Sequence, residues 1–258
     1  MMTSKTEPRL LCYDLGEGVT AFSTTRHGGV SEANYASFNI NPYCGDSADH
    51  VARNRQLLAD RLGLPASHIV LPHQVHGIEH RAVAPELLDM SDAVRDKILD
   101  GVDMVTTSMT GVCIGVSTAD CIPVLLYDPA AIHAGWRGTL QRICQRAVMA
   151  MQLHYGTTPD RLRAVVGPGI SLANFEVGQE VYDQFVQAGF DLTETAEWHT
   201  KWHLDLPGIN IRELIGCGVA PEHIHHAGIC TFDHADDYFS ARRLGIDSGR
   251  IYTGILMR

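Results

Sequence analysis

The sequence predicts an α+β fold, a layered sandwich of mixed β-sheets flanked by helices, formed as a single domain over residues 1–258. Three observations predict it. Short β-branched apolar runs recur along the chain, longer stretches carry apolar residues at helical spacing, and the two kinds of segment do not alternate strictly. No long linker, low-complexity run or internal repeat divides the sequence.

In chain order, segment 19–23 reads as a strand. Segment 50–62 reads as a helix, with Val51, Leu57, Leu58 and Leu62 on one face. Segments 113–117 and 124–127 are strands. Segment 139–154 reads as one helix, capped by Thr139, with Leu140, Ile143, Cys144, Ala147, Val148 and Met151 along a single stripe. Segment 163–166 is a strand, 180–188 and 209–216 are shorter helices, and 251–256 is the last strand. The second short helix closes on Gly216, as helices often do. The segments between these elements are rich in glycine and polar residues, and loops at strand ends are where sites are commonly built.

Composition narrows the function. A hydrophobic fraction of 45% and a charged fraction of 19% suit an ordinary globular protein whose core needs no disulfide staples. The net charge of −10 argues against broad binding to nucleic acid or to anionic membranes, though not against a small basic pocket for phosphate. The N-terminal residues are polar and lack the apolar stretch of a signal peptide, and no apolar run has the length of a membrane span. Seven scattered cysteines without CxxC spacing fit a reducing compartment, so the cytoplasm is expected.

Three segments bear on chemistry: Gln74-Val75-His76-Gly77, Ala119-Asp120-Cys121-Ile122-Pro123 and His133-Ala134-Gly135-Trp136-Arg137-Gly138. Each sets an imidazole or a thiol beside a strand or glycine turn that can hold it still. Two imidazoles with a thiolate favour zinc over calcium or magnesium, and three protein ligands leave a fourth position open for chemistry. Zinc would keep Cys121 as thiolate and make a water acidic enough to ionise near neutral pH. Spacing alone does not separate this from a plainer reading. In a chain with 14 histidines, each of these is more often a surface or hydrogen-bonded residue, and the third segment also reads as a strand end turning into a helix over Trp136.

These segments, together with Phe22-Ser23-Thr24-Thr25-Arg26-His27-Gly28-Gly29-Val30-Ser31, closely resemble the laccase-domain or peptidoglycan-editing-factor family, also described as multifunctional purine nucleoside phosphorylases. The resemblance runs almost end to end. It includes Ser37-Phe38-Asn39-Ile40, Gly45-Asp46, Asn54-Arg55, Gly167-Pro168-Gly169-Ile170, Phe175-Glu176-Val177-Gly178, Cys230-Thr231 and Tyr238-Phe239-Ser240-Ala241-Arg242-Arg243. It implies that His76, Cys121 and His133 bind zinc, and that adenosine, inosine and methylthioadenosine are phosphorolysed and adenosine deaminated. One departure stands out. The link between Asp128-Pro129 and Ala131-Ile132-His133 is about five residues shorter than the family's, too tight for a hairpin with full-length arms. A true deletion would put the alignment of His133 with Cys121 in doubt; residues missing from the sequence is the favoured explanation.

For this chemistry Asp120, beside a ligand, and Glu176, in a polar turn, are the expected proton carriers, and Cys230 is expected to line the site. Arg26, in its glycine-rich turn, is the first choice for phosphate, with Arg242 second, because a guanidinium matches phosphate oxygens in a fork. Backbone N–H groups near Gly28 and Gly29 would assist as an anion nest. Asn39 and Asp46 are expected on ribose hydroxyls or a base edge. Each has a plainer use: a surface ion pair for an arginine, and a bond to its own loop for Asn39.

Rival readings use the same residues. Cys121 and His133 form a thiolate–imidazole pair suited to a hydrolase or deamidase, in which His76 has no role. A non-enzymatic, metal-stabilised editing module for cell-wall synthesis is another reading. Copper with polyphenol oxidase activity is weaker: His223-Ile224-His225-His226 is the one evident His-x-His pair, and an exposed edge strand explains it. The expected partners are small purine nucleosides and phosphate, without nucleic acid or membrane; the oligomeric state stays open.

Overall fold

The computed structural model describes residues 7–127 and 129–258. In chain order the strands are β1 (Leu10–Tyr13), β2 (Val19–Thr24), β3 (Ile69–Val70), β4 (Glu79–Ala82) and β5 (Val102–Thr106). Next come β6 (Cys113–Thr118), β7 (Ile122–Tyr127), β8 (Ala130–Ala134), β9 (Arg163–Val166) and β10 (Glu176–Val177). The last are β11 (Ala196–Trp198), β12 (Trp202–Leu204), β13 (Ile224–His226) and β14 (Ile251–Met257). The helices are α1 (Ala48–Leu62), α2 (Pro85–Asp89), α3 (Asp92–Ile98) and α4 (Trp136–Leu140), followed by α5 (Ile143–Tyr155), α6 (Gln179–Gln187), α7 (Leu206–Gly216) and α8 (Ala241–Leu244).

Two mixed sheets carry the architecture, one ordered β1-β2-β14-β6-β3 and the other β13-β9-β7-β8-β5-β4, with β10-β12-β11 as a small third sheet. The two-residue period of a strand sorts their side chains into layers. On β7, Val124 and Leu126 pack towards Ala147, Val148 and Met151 of α5 and Phe185 of α6. Leu125 between them packs with Ile114, Val116 and Ile255 of the five-stranded sheet. The outer face of that sheet, through Phe22 and Tyr252, packs on Leu58, Ala59 and Leu62 of α1. The layers therefore run helix, sheet, sheet, helices, which is the α+β sandwich expected. Leu58 is fully buried, and truncating it to alanine would cost about 2–5 kcal/mol.

All the strands expected from sequence are present within a residue or two of their ends. The helix expected over 139–154 is two helices instead. α4 stops at Leu140, and Arg142 takes a left-handed backbone (φ 60°) before α5 begins. Its guanidinium bonds Glu213 Oε1 at 2.5 Å and the Ala188 carbonyl at 3.1 Å, contacts between distant elements that periodicity does not register. Thr139 accordingly lies inside α4 rather than capping the long helix.

The short link after β7 does not shorten its hairpin. β7 and β8 pair from Ile122↔Ala134 through Leu126↔Ala130. The sequence expectation that such a link is too tight for full-length arms therefore does not hold. Ile224–His226 is an edge strand, as expected, with His225 and His226 exposed; His223 falls in the 3-10 turn before it. Among the described residues, no helix is long and apolar enough to cross a membrane.

Candidate metal centre and its cleft

Strand register brings the site together. In the β7–β8 ladder Pro123 faces His133 and Ile122 faces Ala134, so one step further Cys121 lies opposite Gly135. In the β5–β8 ladder Met104 faces Ile132, so one step further Asp103 lies opposite His133. Cys121 and Asp103 thus approach β8 from its two neighbours at the end of the sandwich.

Asp103, fully buried, organises what gathers there. Its Oδ1 is 2.6 Å from His133 Nδ1, and its two oxygens accept the backbone N–H groups of Val75 (3.2 Å), His76 (3.0 Å) and Gly77 (2.8 Å). The turn that presents these groups holds His76 at φ 62°, a left-handed conformation that the carboxylate stabilises by drawing successive N–H groups inward. One side chain therefore fixes a ligand ring directly and a second ligand through its backbone. With Nδ1 engaged, His133 turns Nε2 away from Asp103.

The ligand atoms of His76, Cys121 and His133 all lie within 4.8 Å of one another. His133 is buried, Cys121 half-buried and His76 exposed, so the group is reached from one side. Gly135 makes the approach sterically feasible: a Cβ there would sit 3.0 Å from His76 Cδ2 and 3.2 Å from Cys121 Sγ. Burial raises the Cys121 thiol, but the charge and hydrogen bond of His133, then of His76, outweigh it and bring the thiol down to about 6. Burial lowers His133, but the Cys121 thiolate and Asp103 outweigh it and raise the imidazole to about 9. Asp103 is lowered, its burial outweighed by His133 and the turn N–H groups. The donor set is thus a thiolate and two imidazoles, one with its carboxylate support, which suits a borderline or soft ion.

The triad forms the floor of a cleft of ≈ 170 Å³. Its wall is polar and rigid. Gln74 accepts the Ser117 N–H at 2.7 Å and donates to the Ser117 carbonyl at 2.9 Å, while Asn41 donates to Ser117 Oγ at 2.6 Å. At the rim, Tyr43 stacks on His73 with ring centroids 4.2 Å apart, and Asp100 holds His73 Nδ1 at 2.6 Å.

The other residues expected at the site are not among those lining this cleft, and each makes contacts of its own in the fold. Asp120 accepts from Thr231 Oγ1 and from the Arg242 backbone N–H, both at 2.7 Å, tying a loop and the start of α8 to the strand end. Glu176 pairs with Lys201 Nζ at 2.6 Å on the small sheet, which holds its carboxyl below the usual range. Cys230 is buried and accepts from Ser171 Oγ and Asn174 Nδ2 at 3.2 and 3.3 Å. Arg26 donates to the carbonyls of Ala36 (2.8 Å) and Ala235 (2.6 Å). Arg242 reaches the Glu176 carbonyl at 3.2 Å. Asn39 is buried among Asp46, Asn41 and Arg250, and Asp46 accepts from Ser31, Asn39 and Ser47. Of the N–H groups expected in an anion nest, that of Gly29 bonds Ser37 Oγ instead, and that of the neighbouring Val30 bonds Asn54 Oδ1. A Cβ at Gly29 would sit 2.1 Å from the Ser37 carbonyl oxygen, so the glycine serves chain crossing. None of these side chains lines the cleft.

Sequence reading missed Asp103, Gln74, Ser117, Asn41, Tyr43 and His73. Asp103 had a usable signal. A carboxylate inside the apolar run Val102-Asp103-Met104-Val105 must be buried and therefore paired.

A two-sheet sandwich with two imidazoles and a thiolate at its open end, held by a buried carboxylate, defines a site able to hold a metal ion. The chain belongs to the family described as multi-copper polyphenol oxidoreductase laccase, which it matches over residues 20–258. It is 42% identical over 268 aligned residues to a Bacteroides thetaiotaomicron protein named purine nucleoside phosphorylase, covering 100% of this chain and 99% of that one. It is 40% identical to adenosine deaminase RL5 from an unknown prokaryotic organism, covering 93% and 94% of the two chains. The crystal structure of hypothetical protein YfiH from Bacillus licheniformis superposes with a TM-score of 0.90 at 27% identity, covering 97% of each chain.

Proposed function

We propose that this protein is a zinc-dependent purine nucleoside phosphorylase acting on adenosine, inosine and methylthioadenosine, with adenosine deaminase activity. The observation that carries the reading is the convergence of His76, Cys121 and His133 on one point at the floor of a polar cleft. The names carried by the relatives from Bacteroides thetaiotaomicron and by RL5 support the two reactions. We take the ion to be zinc rather than part of a multicopper arrangement, because the described residues hold one such group and the His225 region sits on an exposed edge.

An ion held by His76, Cys121 and His133 would supply Lewis acidity and the means to activate water. The protein's own groups do the rest. Asp103 keeps His133 in one tautomer and fixes the His76 turn. The second amide hydrogens of Gln74 and Asn41, not used in their bonds to Ser117, are offered to the polar substituents of a nucleoside, and Tyr43 on His73 offers a flat apolar face to the base. Asp120 and Glu176 lie outside the cleft lining, whereas His73, oriented by Asp100, is part of it and is assigned the proton transfer. The test is turnover by metal-loaded protein. Hypoxanthine is released from inosine only when phosphate is present, and adenosine loses ammonia with or without it. Failure to turn over either nucleoside refutes the reading.

A second reading rests on one observation. Without an ion, Cys121, His133 and Asp103 form a nucleophile, base and orienting carboxylate of the kind a thiol hydrolase or deamidase uses. Alkylation separates the two. A chelator accelerates it if an ion covers the sulfur and has no effect on a free dyad.

A further inference from the structure

We propose that Arg250 is the phosphate anchor of this site, a proposal that rests on the phosphorolysis reading above. Phosphorolysis brings a doubly charged oxyanion next to the ribose. Its oxygen bonds to the ribose C1′ as the bond from C1′ to the purine nitrogen breaks. The proton of the hydrogen phosphate ends on the departing base, so ribose 1-phosphate and free purine balance the starting pair. Such a site needs a fixed positive charge facing the cleft, and neither arginine singled out by the motifs provides one. Arg26, bonded to the carbonyls of Ala36 and Ala235, and Arg242, over Phe175, both lie outside the lining of the cleft.

Among the described residues lining the cleft, Arg250 is the one arginine or lysine, and none is an aspartate or glutamate. Its guanidinium is braced from behind. Nη1 donates to the Ser248 carbonyl at 2.6 Å and the Gly249 carbonyl at 3.0 Å, and Nη2 to the Ile246 carbonyl at 3.0 Å. Its backbone N–H donates to Asn39 Oδ1 at 3.1 Å, which links it to the Asn39–Asp46 network. All these partners of the guanidinium are neutral, and among the described residues no carboxylate forms an ion pair with it. The charge is held in place but not neutralised. Nε–H and one of the two Nη2 hydrogens have no acceptor among the described residues, which leaves an edge of the fork for phosphate oxygens. The bracing lowers the ordering cost of the long side chain before the anion arrives.

The experiment is steady-state phosphorolysis of inosine by the metal-loaded protein with inorganic phosphate varied. In Arg250→Gln, KM for phosphate rises about 10- to 100-fold, the loss expected for a hydrogen-bonded ionic contact. KM for inosine and zinc content hold, and Arg250→Lys recovers part of the loss. Because the backbone around Ser248 leans on this guanidinium, Ile246→Glu supplies a second probe. Ile246 is 72% exposed, so the substitution spares the core while setting a carboxylate beside the guanidinium. It raises KM for phosphate in the same direction. An unchanged phosphate KM in either folded variant overturns the proposal while leaving phosphorolysis standing. A wild-type protein that never requires phosphate removes both.

Discussion

Asp103 and Asn54 are each fully buried polar side chains, and each gathers several loop groups around itself. Asp103 takes the N–H groups of residues 75–77 and the ring of His133. Asn54 takes the Val30 N–H at 2.9 Å and donates to Ser31 Oγ and the Asn39 carbonyl, both at 2.9 Å. The difference lies in what is left over. Asn54 closes its own bonds on Val30, Ser31, Ser37 and Asn39, and it holds no imidazole or thiolate towards a ligand. Around Asp103 the bonds hold two imidazoles whose other faces, with the Cys121 sulfur, point at one another. Density of polar residues does not mark a site. Unspent ligand capacity does.

The comparison breaks first, and most visibly, at its two hubs. Asp103→Ala strands a buried imidazole and three N–H groups, and should lower stability by about 3–5 kcal/mol in urea unfolding. The less disruptive Asp103→Asn should weaken metal binding about 10- to 100-fold in a competition titration with a chelating dye. Asn54→Ala should also destabilise, by about 1–3 kcal/mol, yet leave zinc affinity where it was. Equal losses of zinc affinity at the two positions would erase the distinction.

Gly135→Ala sharpens the steric side of the account. Its methyl would push on His76 and Cys121 without touching Asp103, so overpacking of about 1–3 kcal/mol should fall on the ligand triangle. Zinc affinity drops more than thermal stability in calorimetry. A smaller effect concerns charge. In the metal-free protein the depressed thiol of Cys121 loses its proton as pH rises through about 6, so its thiolate form is already present at pH 7. Iodoacetamide labelling of Cys121, mapped by mass spectrometry, should climb between pH 5 and 7 and then level, roughly three units below the ordinary thiol value of 9.0. The smallest effect is expected at Glu176→Gln. Its exposed pair with Lys201 lies away from the cleft, so melting temperature and turnover should stay unchanged.

Much of the fold was legible because period speaks directly to burial. Val124, Leu125 and Leu126 on β7, and Ala147, Val148 and Met151 on α5, announce buried surfaces on their own. β8 did not. Ala130-Ala131-Ile132-His133-Ala134 has little strand preference, and its pairing comes from β5 and β7 on either side. The metal ligands were legible through resemblance, since spacing alone left them among many histidines. The rest of the site was not. Arg26, Asn39, Asp46, Asp120 and Glu176 have suitable chemistry, but whether a polar atom faces a ligand or a neighbouring carbonyl depends on contacts between distant segments. Arg250 was passed over for the converse reason: it sits just before β14 without a glycine-rich motif to draw the eye.

The central claim is that His76, Cys121 and His133 share one ion. Elemental analysis by mass spectrometry of protein loaded with zinc, then dialysed, tests it most directly. The account predicts about one zinc per chain in the wild type and almost none in folded Cys121→Ser or His133→Ala. Zinc retained at the wild-type level in both variants would contradict it.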